Sequence, residues 1–254
     1  MKLHNTEVSK KLPLNKTRNE NILLPVGYDE KDNIVCINIL KDSHILIGGE
    51  NDSERFLFIR NLVKNLEKQK SPDGLHFILI DPSKKCFFSF RENNYYCFPI
   101  LTDTSSAMVA LRWCYNEMER RFLILNKEKK INIREYNNKI VKGRLPIIFI
   151  FVSEIDELMK EDSKEVEKII ISFFQMAKGV GIHLVISAKN LNRKTVTGMM
   201  IANSMTKAVF KTASKRDSKW LLYEAGAEKL SGKGNFILQS LQFKKNKYLH
   251  SLNK

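Results

Sequence analysis

The sequence predicts an α/β domain with a mainly parallel sheet covered by helices, and three observations carry that expectation. Short apolar runs alternate with longer stretches of helical periodicity. Hydrophobic residues make up 43% of the 254 positions, with only 11 Gly and 6 Pro, enough to bury a core without disulfides or metal. Most of the apolar runs are too short and too uniformly apolar to be anything but central strands.

Strands are expected at 34–39, 44–47, 75–80, 145–152, 182–187, 207–211 and 234–238, and helices at 53–70, 105–127, 163–178 and 215–226. In the second helix Met108, Leu111, Trp113, Tyr115, Met118, Phe122 and Leu125 recur near a 3.6-residue spacing, with Glu117, Glu119, Arg120 and Arg121 between them. That is a core helix with a charged back. Residues 126–144 combine a KEKK run, an Asn-rich amphipathic segment around Tyr136 and Gly143, and read as a surface excursion. Residues 1–21 are expected to be a basic flexible arm, 22–243 one ordered domain and 244–254 a basic tail.

The opening residues have no apolar core of a signal peptide, and no run approaches a membrane span, so the expected compartment is the cytoplasm. Cys36, Cys86, Cys97 and Cys114 are scattered without a CxxC pair, which argues against zinc and disulfides and for buried thiols. A net charge of +15, from 43 Lys and Arg against 28 Asp and Glu, favours a polyanionic partner, nucleic acid first. The same total would also arise from cations spread over a solvated surface.

In nucleotide-binding α/β proteins, phosphate sits where a glycine-rich loop joins the first core strand to a helix. Here that junction reads HILIGGENDSERFLF from His44 to Phe58. Laying G-x-x-x-x-G-K-[ST] from Gly49 puts Glu54 at the second glycine, Arg55 at the lysine and Phe56 at the hydroxyl residue. A carboxylate ~4 Å from a phosphate costs roughly 4 kcal/mol at an effective dielectric near 20, and Phe56 removes a magnesium-holding hydroxyl. Taken alone, the segment reads as a helix start capped by Asp52 or Ser53. The strand LPIIFIFVSEIDEL ends in Ser153 and Glu154, one carboxylate where a hydrolytic site needs two. Glu154 is a candidate general base, while Glu154, Asp156 and Glu157 together also suit an acidic helix start. His183 reads as a core histidine and Asp81 with Pro82 as a turn.

The chain resembles the motor domain of FtsK and SpoIIIE, RecA-type hexameric double-stranded DNA translocases. The likeness runs from Leu24 to about Leu238 through HILIGG, HFILIDPSK, ALRWCYNEMERRF, LPIIFIFVSEIDELM, GIHLVISAKN and AGAEKLSGKG. It implies a RecA-like P-loop NTPase fold assembling as a ring on DNA. Against that pattern, the family's GTTGSGKS becomes GENDSERF over 49–56, its Asp-Glu becomes Ser153 and Glu154, and its sensor glutamine is replaced in Ser187-Ala188-Lys189-Asn190-Leu191. Lys207 and Lys219 stand where arginines that reach a neighbour's nucleotide are usual. The bore-lining region maps to 189–203, where Lys189, Arg193 and Lys194 are candidate DNA contacts through phosphate and Ile201 replaces a lysine. Neither septum anchoring nor sequence-guided orientation carries over.

The resulting expectation is a catalytically impaired FtsK/SpoIIIE-like domain that binds DNA or a homologous motor in an accessory or regulatory role. Double-stranded DNA is the expected partner, with a homo-oligomer or a mixed ring with an active motor. Gly49, Ser53, Glu54, Arg55 and Phe56 form the degenerate nucleotide loop, and Glu154 is a relic base. No cofactor is expected, or ATP with magnesium if the site is active. Two alternatives stand beside it: a working ATP-driven translocase using Gly49, Ser53, Arg55 and Glu154, and a protein-interaction module without DNA contact.

Overall fold

A computed structural model describes residues 21–252 apart from Ser43, Glu92 and Val141. The expected basic arm therefore lies outside the described residues except for Asn21. Nine strands form one sheet there: β1 (Leu23–Tyr28), β2 (Ile34–Asn38), β3 (Ile45–Gly48), β4 (Leu75–Ile80), β5 (Ile147–Val152), β6 (Ile182–Ala188), β7 (Thr206–Phe210), β8 (Asn235–Gln239) and β9 (Lys247–Ser251). The order is β2-β1-β9-β8-β7-β3-β6-β5-β4. The strands from β7 through β3, β6 and β5 to β4 pair in parallel, and the remainder pair antiparallel. The parallel region is thus as expected, and the sheet as a whole is mixed.

The helices are α1 (Ile39–Asp42), α2 (Asp52–Glu67), α3 (Thr104–Lys127), α4 (Ile133–Lys139), α5 (Ile155–Met176), α6 (Gly198–Asn203) and α7 (Lys215–Leu222). Alternation along the strands separates two cores. Ile78, Ile80, Ile148, Ile150 and Val152 face α3, α5 and α6, while Ile45, Ile47, Phe77, Phe149 and Phe151 face α2 and the β1–β2 hairpin. No helix among the described residues is long and apolar enough to cross a membrane.

Several details differ from expectation for identifiable reasons. The 75–80 run, read as central, is the edge strand β4. Its outer side is covered by residues 95–101, where Leu101 N–H bonds the Leu79 carbonyl at 2.9 Å and Cys97 N–H bonds the Phe77 carbonyl at 2.9 Å; this cover explains an apolar strand at an edge. Within the expected 244–254 tail lies β9, whose Leu249 and Ser251 are buried between lysine and histidine neighbours. The excursion at 126–144 contains α4, capped where the Asn132 side chain accepts from Glu135 N–H. Helix α5 begins well before 163. Its backbone leaves helical geometry at Asp162 (φ −145°) and restarts there, with the Asp162 carboxylate accepting from Glu165 N–H at 3.0 Å.

The four cysteines are free thiols: Cys86 and Cys114 are buried, Cys36 and Cys97 half-buried. Burial pushes the Cys36 and Cys97 thiols up to about 11 and the other two higher, so none is poised as a thiolate.

Candidate functional site

Because β3 lies between β6 and β7, its carboxyl end brings Gly48 and Gly49 beside Ser187–Lys189 and Lys211. Gly49 is required by close approach: a Cβ there would lie 2.7 Å from the Phe210 Cβ, at a φ of +154°. Glu50 N–H then bonds the Lys211 carbonyl at 2.9 Å. The cap of α2 is Asn51, not Asp52 or Ser53. Its side-chain oxygen accepts from Ser53 N–H at 2.9 Å and Glu54 N–H at 3.4 Å. The amides that an anion would need at this helix start already point at an oxygen of the same chain.

Arg55 is fully buried. Its Nη1 donates to the Ser187 Oγ at 2.6 Å and its Nη2 to the Asp52 carboxylate at 2.6 Å, while Nε has no partner among the described residues. Lys189 approaches the same carboxylate at 3.5 Å. Glu54, also buried, accepts at 2.9 Å from Gly234 N–H, which a left-handed backbone (φ +86°) presents within the 231–234 turn. Phe56 points away from the loop into the α2 core and is 3% exposed, which corrects its assignment to the nucleotide loop. A ring in that core offers no ligand to an ion.

On the neighbouring strand, Ser153 Oγ donates to Asp81 at 2.9 Å, and the other Asp81 oxygen accepts from Phe87 N–H at 2.9 Å. Asp81 therefore serves the turn after β4. Glu154 is the residue before α5 and its carboxylate makes no cap bond. No group of three metal-ligating side chains exists among the described residues. Asp52 and Asp81 are held by protein donors, and Glu54 by Gly234 through Oε1 while its buried Oε2 has no partner among the described residues; this set does not match the hydrated oxygen shell of a magnesium ion.

A model of the FtsK/SpoIIIE family matches residues 9–193. The chain belongs to that family. It is 32% identical over 222 residues to the DNA translocase FtsK of Leptospira interrogans, covering 85% of this chain and 23% of that protein. It is 33% identical over 217 residues to the FtsK of Borreliella burgdorferi, covering 84% and 28%. The chain thus spans about a quarter of the length of these relatives. Among solved structures it is similar to the cytoplasmic domain of the Thermomonospora curvata type VII secretion ATPase EccC (TM-score 0.81, 19% identity, covering 95% of this chain and 30% of that one). It is also similar to the pCW3 conjugation coupling protein TcpA (TM-score 0.79, 21% identity, covering 97% and 70%). At these identities the likeness shows the P-loop ATPase fold.

Within this FtsK/SpoIIIE-family chain the three expected DNA contacts, Lys189, Arg193 and Lys194, are all exposed. Lys189 is drawn towards Asp52, the Arg193 guanidinium lies 5.0 Å from the Trp220 ring, and Lys194 is exposed. Ile201 is a core residue of α6, 2% exposed. Lys207 is engaged within its own chain. It is buried within the sheet, donates at 2.9 Å to the Gln239 side-chain oxygen and lies under Tyr223; burial lowers its pKa to about 8. Lys219 is exposed. Asp156 was read only as part of an acidic helix start. Its two oxygens accept from Lys189 N–H at 3.0 Å and Asn190 N–H at 2.9 Å, fixing the segment after β6. Its position two residues beyond Glu154 gave no hint of a partner more than thirty residues away.

Proposed function

We propose that this chain is an FtsK/SpoIIIE-type motor domain impaired in ATP turnover, which binds double-stranded DNA or a homologous active motor as an accessory or regulatory subunit in DNA transfer. The observation that carries the reading is that contacts within the chain already occupy the phosphate loop. Asn51 takes the Ser53 and Glu54 amides, and Arg55 is spent on Asp52 and Ser187. A phosphate would have to displace these acceptors and sit beside carboxylates. The exposed Lys194 and Arg193 and the charge of +15 support contact with the DNA backbone. The exposed Lys219 supports a ring, while Lys207 is buried within its own chain.

The test is equilibrium binding of ATP with magnesium, with and without double-stranded DNA, followed by phosphate release on the same sample. We expect no saturation at millimolar nucleotide and DNA affinity that falls steeply with salt. Saturable ATP binding with DNA-stimulated phosphate release overturns the proposal and makes the chain a working translocase, with Glu154 as its base. Absence of DNA binding even at low salt, with binding to a homologous motor retained, confines the function to protein interaction.

A further inference from the structure

A well-formed cavity lies away from the phosphate loop. It opens at the opposite end of the sheet, where β4, β5 and β6 begin, and encloses about 900 Å³, the size range of small-molecule sites. Helix α4 and the residues before it form one wall, the 69–74 turn a second and the 38–41 segment a third. Leu40, Ile133 and Ile147 supply an apolar floor.

The charges around this floor are unequal. Lys41, Lys70, Arg134, Arg144 and Lys178 line the cleft against the single carboxylate of Asp73. Two of the cations brace the walls through carbonyls: Lys178 Nζ donates to the Lys41 carbonyl at 2.7 Å, and Arg144 Nε to the Ile140 carbonyl at 2.9 Å. Neither bond neutralises a charge. Lys70 is half-buried, and no described carboxylate is paired with its ammonium or with that of Lys41. Burial lowers the Lys70 pKa, with no opposing charge to offset it. A half-buried ammonium at Lys70 and an exposed one at Lys41, beside an apolar floor and without a paired carboxylate, are what a site for an anion needs before the anion arrives.

We propose that this cleft binds a small organic anion of nucleotide size, carrying at least two negative charges at one end and an apolar body that rests on Leu40, Ile133 and Ile147. The ammonium groups of Lys41 and Lys70 take the charged end. This site stands apart from the phosphate loop and does not depend on whether ATP is bound there. A wall that includes the surface helix α4 makes occupancy able to order that helix against β5.

The experiment is calorimetric titration of the full chain with inorganic pyrophosphate, without magnesium and at low salt. The wild type is compared with Lys41→Gln/Lys70→Met and with a charge-matched control, Lys164→Gln/Lys168→Gln, on α5. We expect one saturable site in the wild type and the control, weakened tenfold or more in the cleft variant. Circular dichroism and the thermal midpoint of each variant establish that it is folded. Failure of the wild type to saturate overturns the proposal. So does equal weakening in the two double variants, which would report overall charge, or binding of a DNA duplex in the cleft with no binding of pyrophosphate.

Discussion

At the carboxyl ends of β3 and β6, the buried Arg55 faces Asp52 and Ser187, and the loop amides are held by Asn51. At the amino ends of the parallel strands the situation is reversed: Lys70 is desolvated with no carboxylate opposite it, and Lys207 has only the neutral side chain of Gln239. One end of the sheet has closed its electrostatics internally, and the other has left them open. In a fold whose ligand end is ordinarily the carboxyl end, the difference teaches that the loop after β3 is held by contacts within the chain, while cations at the other end stay uncompensated.

The comparison breaks most easily at Arg55. Arg55→Ala removes a buried charge and leaves Asp52 and Ser187 without it, so unfolding in urea should show a loss of about 4 kcal/mol; an unchanged midpoint would mean that the closed end is not structural. Lys207 tests the open end. The folded chain releases this proton near pH 8 and the unfolded chain near 10.5, so between those values the unfolded state binds more protons and stability rises with pH. Measured against Lys207→Met, which lacks the titration, the wild type should gain about 3 kcal/mol from neutral pH to above 10. A flat difference would show that Gln239 and Tyr223 already satisfy the cation.

Asp156→Ala strips the acceptor from two amides at the start of the 189–203 segment, and about 2 kcal/mol of stability should go with it. Hydrogen exchange at Lys189 and Asn190 reports whether that segment is released. Smallest is Asn51→Ala, at about 1 kcal/mol from a lost cap. It sharpens the comparison because it frees the Ser53 and Glu54 amides: measurable ATP binding by this variant alone would show that the cap is what keeps phosphate out. Restoring the family residues is harder than the motif suggests, since Phe56→Ser also empties part of the α2 core.

The parallel strands and the helices α2 and α3 were legible because each is a continuous apolar or 3.6-spaced pattern, and their boundaries fall within two or three residues of expectation, whereas α5 starts eight residues earlier than its expected 163. The first and last strands were not. Pro25 and Gly27 interrupt β1 at its bulge, and in β9 only alternate residues are buried among lysine and histidine. Site chemistry divided similarly. The substitutions at Glu54, Arg55 and Phe56 were visible as departures from a motif, but their new partners, Gly234, Ser187 and the α2 core, are far apart in sequence and emerge only from the sheet order. Asp156 was hidden by its acidic neighbours, and the cleft was invisible because its lining comes from five separated segments.

The position of β9 has a consequence for how the molecule is made. Gly27 pairs with Ser251, and β9 alone joins the β1–β2 hairpin to β8. The hairpin leaves the ribosome early, yet its place in the sheet does not exist until the last strand of the described chain has been synthesised. Until then two partial sheets each present an open edge to the cell, and the arrival of β9 determines when that exposure ends.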